Sequence, residues 1–191
     1  MNEAELRELL ERHGGILHGH FKLSSGRHSD TFLQTALITT HPHIAERLGH
    51  ELGSRFANSG ATVVLGPAMA GLIIGHEVAR YLNIPMVFSE RVDGEMQLRR
   101  GFELTPKDRV LIVDNAVTDG LSKREVIELV QRHDAHVVGV GVIVSRSANI
   151  ALGVPFETLL TLPTLDWEPE ACPLCAQGSQ PAAPGSRHLV R

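Results

Sequence analysis

The run Val110-Leu-Ile-Val113 passes into a polar, glycine-containing loop and then into apolar positions at Val126, Leu129 and Val130. Few folds accommodate that succession. Four consecutive apolar residues make a buried strand, and the spacing of three and four residues that follows makes one face of an amphipathic helix. A loop at the end of such a strand presents Thr118, Ser122 and several backbone N–H groups to an anion, and the positive end of the following helix faces the same point. Asp114 and Asn115, just before the loop, are placed to take hydroxyl groups. The pattern points to a sugar-phosphate site.

The same alternation recurs along the chain. Residues 3–12 carry Leu6, Leu9 and Leu10 on one helical face, and residues 41–57 repeat apolar positions at Ile44, Leu48, Leu52 and Phe56, with Pro42 in the first turn. Thr62–Leu65 reads as a strand, Ile74, Val78 and Leu82 as a helix, and Pro85–Phe88 as the next strand. Val137–Val144 and Thr158–Leu162 complete the series. Strands alternating with helices predict an α/β fold with a doubly wound, mostly parallel sheet and ligands at the carboxyl ends of its strands. The stretch from about residue 176, rich in Gly, Ser, Pro and Gln, reads as loop.

Composition narrows the function. A chain of 191 residues with 42% hydrophobic content buries one sizeable core. The 18 basic and 22 acidic residues are mixed along the sequence, so no basic run argues for nucleic acid. The longest apolar stretches are strand-sized, which excludes a membrane-spanning helix as the expectation. The first residues read as a charged amphipathic helix and not a secretory signal, so a cytoplasmic location is expected.

Two further segments stand out. Gly66-Pro67-Ala68-Met69-Ala70-Gly71 joins a strand to a helix through small residues, which let backbone N–H groups close on an anion; an ordinary strand-to-helix turn is the alternative. Residues 89–102 are polar, with Arg91, Arg99 and Arg100 and glycines near both ends. They read either as a lid whose arginines neutralise an anionic leaving group, or as a solvated hairpin whose arginines pair with Glu90 and Asp93.

Residues 110–122 resemble the phosphoribosyl-diphosphate (PRPP) signature of type I phosphoribosyltransferases: an apolar run, two acids, two variable residues, Thr, Thr or Ala, Gly, any residue, then Thr or Ser. Asn115 stands where the second acid belongs, and Asp119 where a small neutral residue is usual. The first change weakens ribose binding, and the second sets a negative charge beside the phosphate cradle. Residues 19–34, with Phe21, Leu23 and Ser25-Gly26-Arg27, are similar to the hood of orotate phosphoribosyltransferases; Ser24 replaces a lysine and Asp30 a proline. The order of motifs across 17–146 and the Cys-containing tail look most like the subgroup of thermophilic bacteria and their relatives.

The resemblance implies three parts: an N-terminal helix and hood (1–36), a phosphoribosyltransferase core (37–165) and a tail (166–191). It implies Mg²⁺ with PRPP, orotate as the base, a homodimer, and Asp114 with Arg91, Arg99 and Arg100 in the catalytic machinery. Asn115, Thr118, Asp119, Gly120, Leu121 and Ser122 would hold ribose and 5-phosphate; Ala68, Met69, Ala70 and Gly71 would hold pyrophosphate. Phe32 would stack on the base, main-chain groups near Phe32 and Leu33 would bond its edge, and Arg146 would meet its carboxylate. The Lys-x-His-Gly element common in this loop of orotate enzymes is absent. Two other readings remain open: a phosphoribosyltransferase of another base, and a non-catalytic binder of PRPP or a nucleotide.

Cys172-Pro-Leu-Cys175 is a single CxxC. Two thiolates make half of a tetrahedral zinc site, which His188 or a partner chain would complete; a disulfide or two reduced thiols are the alternatives. The other histidines, His20 and His28 among them, show no compact ligand spacing, and most of them are expected at the surface or at edges.

Overall fold

The computed structural model describes residues 1–23 and 25–184. Ser24 and His188 lie outside the described residues. The chain opens with α1 (Glu3–Arg12), started by a capping box in which the Asn2 side chain accepts from the Glu5 amide and Glu5 accepts from the Asn2 amide. Then come β1 (Ile16–Lys22), β2 (His28–Leu33), a short α2 (Ala36–Thr39) and α3 (Pro42–Arg55), with Pro42 in its first turn as the sequence predicts. The core continues with β3 (Val63–Pro67), α4 (Leu72–Leu82), β4 (Met86–Val92), β5 (Glu95–Leu98), β6 (Arg109–Val117), α5 (Leu121–Arg132), β7 (His136–Ser145) and β8 (Phe156–Thr161). A two-residue β9 (Asp166–Trp167), a 3₁₀ turn and α6 (Pro173–Ala176) follow.

The main sheet has the order β5-β4-β3-β6-β7-β8, parallel throughout except for β5, which pairs antiparallel with β4 at the edge. Both faces are covered, which is why β6 is continuously apolar and not alternating. Leu111 and Val113 pack with Leu48, Leu52, Ile74 and Val78 from α3 and α4, joined by Leu6 and Leu10 of α1. Val110 and Ile112 point the other way, into a cluster with Val126, Ile127, Leu129 and Val130 of α5. The sheet is doubly wound, as expected.

A second, three-stranded sheet has the order β1-β2-β9, all antiparallel. Residues from both ends of the sequence therefore build one hood: β9 adds to the edge of β2, and Arg27 bonds Asp166 and Glu168 across the join.

Two segments take definite form. Of the two readings of 89–102, residues 89–98 take the hairpin, in which Ser89 opposes Leu98 and Val92 opposes Glu95, turning at Asp93-Gly94, both at positive φ. β6 runs on through Asn115 to Val117, so the polar residues 114 and 115 are strand residues. Pairing with β7 as far as Val117–Ser145 carries the strand past the end of its apolar run.

Candidate active site

β3, β6 and β7 are neighbours in the sheet, and their carboxyl ends deliver three pieces to one edge. The first is the turn after β3. Gly71 packs so closely on β6 that a Cβ there would stand 2.8 Å from the Val113 carbonyl oxygen and 2.9 Å from that of Pro67. Glycine is required for this approach. The turn is fixed at its ends by Ala68 N–H donating to Ser89 O (2.8 Å) and Gly71 N–H donating to Pro67 O (2.9 Å). Between them the Met69 and Ala70 amides donate to no protein group among the described residues, and both side chains are exposed. The peptide between Ala68 and Met69 is cis.

The second piece is the loop from β6 into α5. Gly120 opens the helix at φ 82°, a conformation that disfavours a side chain. The amides of Asp119, Gly120 and Ser122 donate to no protein acceptor among the described residues. The Leu121 amide does: it donates to Asp119 Oδ1 at 3.0 Å, while Thr118 Oγ1 lies 3.4 Å from the same oxygen. The Asp119 carboxylate thus folds back on the helix start, taking a place that an anionic ligand would otherwise take. Free amides and the positive end of a three-turn helix form an anion cradle.

Under this loop lies a residue the sequence reading missed. Lys123 Nζ donates to Asp114 Oδ2, with both side chains buried, and lies 3.2 Å from Ser122 Oγ. The remaining Asp114 oxygen accepts from the Asn115 amide at 2.8 Å. The signal was present: Lys123 stands three residues before Val126 and seven before Val130, on the apolar face of α5, where a lysine requires an acidic partner. The pair locks Asp114 to the first turn of α5.

The third piece is Arg146, at the end of β7. Its amide donates to Val117 O at 2.9 Å, holding it beside the loop. Its guanidinium donates through Nε to Thr164 Oγ1 and through one terminal nitrogen to Ser29 Oγ at 3.2 Å. Ser29 in turn donates to Leu165 O at 2.6 Å. Arg146 is half-buried, burial lowers its pKa, and no carboxylate lies within 4.0 Å of it among the described residues. Among the described residues it has no direct ion pair, and Asp166 and Asp30 act on its charge only from longer range, under the hood.

Phe32, on β2, is half-buried with its ring 5.7 Å from that of Phe21, while Leu33 packs against the core. The three arginines of 89–102 are dispersed. Arg91 bonds Glu125 of α5 and the Gly94 carbonyl, not Asp93; Arg100 makes two 2.9 Å bonds to Glu90 and lies 5.9 Å over the Phe88 ring; Arg99 is exposed.

Two anion cradles, a buried carboxylate between strand and helix, and a half-buried guanidinium thus share one edge of the sheet. Comparison with known proteins agrees with that geometry. Residues 35–152 match the model of the phosphoribosyl transferase domain. The orotate phosphoribosyltransferase of Pelotomaculum thermopropionicum is 46% identical over 190 residues, covering 99% of this chain and 100% of the relative. The chain belongs to the orotate phosphoribosyltransferase family. Among solved structures, the orotate phosphoribosyltransferase of Aeropyrum pernix is similar with a TM-score of 0.69 at 25% identity, over 82% of this chain and 93% of that one. The Mycobacterium tuberculosis enzyme in complex with inorganic phosphate gives a TM-score of 0.67 at 26% identity, over 84% and 95%. Family membership makes the chain a phosphoribosyltransferase, a pentosyl-transferring enzyme.

Proposed function

We propose that the chain transfers the 5-phosphoribosyl group of PRPP to orotate, giving orotidine 5'-monophosphate and pyrophosphate. The observation that carries the choice of base is Arg146: a half-buried guanidinium that forms no direct ion pair among the described residues suits a planar anion, which it would meet through two parallel hydrogen bonds. Phe32 supplies an aromatic face for the ring.

The free amides of Asp119, Gly120 and Ser122, with the Thr118 and Ser122 hydroxyls, take the 5-phosphate, and those of Met69 and Ala70 take the pyrophosphate. Asp114 and Asn115 take the ribose hydroxyls, and Lys123 holds the Asp114 carboxylate in place. As the ribose C1 develops oxocarbenium character, the orotate ring nitrogen attacks it and pyrophosphate departs from the opposite face. Positioning and charge stabilisation do the work. The donors near the ribose site are hard oxygens, one carboxylate already engaged by Lys123 and one amide. They fit Mg²⁺ held mainly by substrate oxygens and water. When bound with PRPP, that ion neutralises diphosphate charge. Arg99 and Arg100 follow directly on β5, the edge strand of the sheet, and a homodimer in which this edge serves a neighbouring site is part of the proposal. A cytoplasmic location suits these substrates.

Purified protein with Mg²⁺ and PRPP is expected to consume orotate and to release pyrophosphate in equal amount. PRPP bound without turnover would instead support a non-catalytic sensor, and turnover of another base would remove Arg146 from its role. A second expectation concerns Asp119. Asp119→Thr removes the carboxylate that competes for the Leu121 amide, and should tighten PRPP binding about two- to fivefold, the value of about 0.3–1 kcal/mol for a charge at a helix start. Calorimetry decides: unchanged affinity would move the 5-phosphate away from residues 119–122.

A further inference from the structure

The CxxC that the sequence leaves half-explained meets two histidines from the other end of the chain. His20, on β1, and His28, on β2, are buried, and with Cys172 and Cys175 their four ligand atoms all lie within 4.8 Å of one another. The sequence reading places most of the histidines at surface or edge positions; these two are exceptions. The register shift between His18 and Phe21 explains His20: the irregularity leaves both His20 and Phe21 buried, where strict alternation would expose one. His28 begins β2 opposite Lys22, so His20 and His28 sit diagonally on one face of the hairpin.

The separations match a coordination shell. A tetrahedral zinc with metal–nitrogen bonds near 2.0–2.1 Å and metal–sulfur bonds near 2.3 Å requires N···N of about 3.3 Å and N···S of about 3.6 Å. His20 Nε2 and His28 Nδ1 are 3.1 Å apart. Cys172 Sγ is 3.4 Å from His20 Nε2, and Cys175 Sγ is 3.7 Å from His20 Nε2 and 3.3 Å from His28 Nδ1. Hydrogen bonding alone does not account for this. His20 Nε2 carries either one N–H or one lone pair, yet it has three partners at contact distance. A cation at the centre satisfies all four atoms together.

The outer shell is also in place. His20 Nδ1 lies 3.1 Å from Ser179 Oγ, which fixes the ring with Nε2 turned to the cysteines. The two cysteines are held on one short turn: Cys172 caps α6, where the Ala176 amide donates to Cys172 O. The chain then returns along β1, with Lys22 N–H donating to Ala182 O and Ala182 N–H donating to His20 O, each at 2.8 Å. Both cysteines are free thiols, so no disulfide competes for them.

We propose that His20, His28, Cys172 and Cys175 bind one structural zinc ion that fastens the C-terminal segment to the hood. Two thiolates cancel the ion's charge and two neutral imidazoles add none, so the centre is neutral and stands burial. Two nitrogens and two sulfurs in tetrahedral array select zinc over the hard, oxygen-seeking Mg²⁺. With all four positions filled by protein there is no open place for a substrate, so the role is architectural. The inference is independent of the choice of base.

The test is elemental analysis of the full-length protein purified without metal resins or chelators. About one zinc per chain is expected. Replacement by Co²⁺ should give tetrahedral d–d absorption and a near-ultraviolet thiolate-to-cobalt band. His20→Ala and His28→Ala should each reduce the zinc retained against a chelator, and Ser179→Ala should weaken affinity about 10- to 100-fold by freeing the His20 ring. If the histidine variants do not fold, the cobalt spectrum of the unaltered protein still decides. The proposal falls if the protein holds no zinc, gains no thermal stability from added zinc and exposes both thiols to a titrating reagent. It falls equally if His20→Ala and His28→Ala bind cobalt with an unchanged spectrum. None of these readouts depends on orotate turnover.

Discussion

Lys123→Met is expected to lower the unfolding free energy by about 3–5 kcal/mol, the range for removing one partner of a buried ion pair. The lysine and Asp114 side chains are only 3% and 9% exposed. Methionine keeps the length and apolar stem of lysine, so packing on the Val126 face of α5 is largely preserved. What is lost is the ammonium, and the Asp114 carboxylate is left with the Asn115 amide as its one remaining donor among the described residues. The cost therefore comes from a stranded charge and not from a cavity. Urea denaturation measures it, and Lys123→Met combined with Asp114→Leu should recover much of the loss, since replacing both partners removes the stranded group. A loss below about 1 kcal/mol for the single change would mean that Asp114 is solvated or finds another partner. PRPP binding should weaken as well, because the Asp114 carboxylate would no longer be held against the first turn of α5.

The parts of this molecule that were legible in the sequence are those governed by local periodicity. The Val110–Val113 run, the 3.6-residue spacing in α3, α4 and α5, and the small-residue turn 66–71 each state their own structure, and the parallel sheet follows from their alternation. Residues whose meaning depends on a distant partner were not legible. His20 and His28 look unremarkable until β9 and α6 fold back over 130 residues of intervening core to meet them. The pairing of Arg100 with Glu90 was one of the two readings, whereas Arg91 reaches Glu125 of α5, a partner that nearness in sequence does not reveal. Asp119 is intermediate. Its charge was legible, but not that its carboxylate turns back to the helix start to accept from Leu121.

Arg146→Ala carries the largest expected effect on function. A buried charge-assisted pair costs about 2–5 kcal/mol when truncated, which corresponds to a weakening of orotate binding by about 30- to several-thousand-fold. PRPP affinity should hardly change, because the phosphate cradles use main-chain amides of other loops. Arg146→Lys should restore only part of the loss: an ammonium keeps the charge but not the planar fork that meets a carboxylate through two parallel bonds. Stability separates this role from a structural one. Arg146 bonds Thr164 and Ser29, yet burial disfavours its charge, and the two contributions oppose each other. The alanine variant should therefore unfold within about 1 kcal/mol of the unaltered protein. A large stability loss with an equal rise in the KM for both substrates would make Arg146 a strut between β7 and the hood. Loss confined to orotate would identify the half-buried guanidinium as the group that reads the carboxylate, with the substrate supplying the direct ion pair that Asp166 and Asp30 do not form.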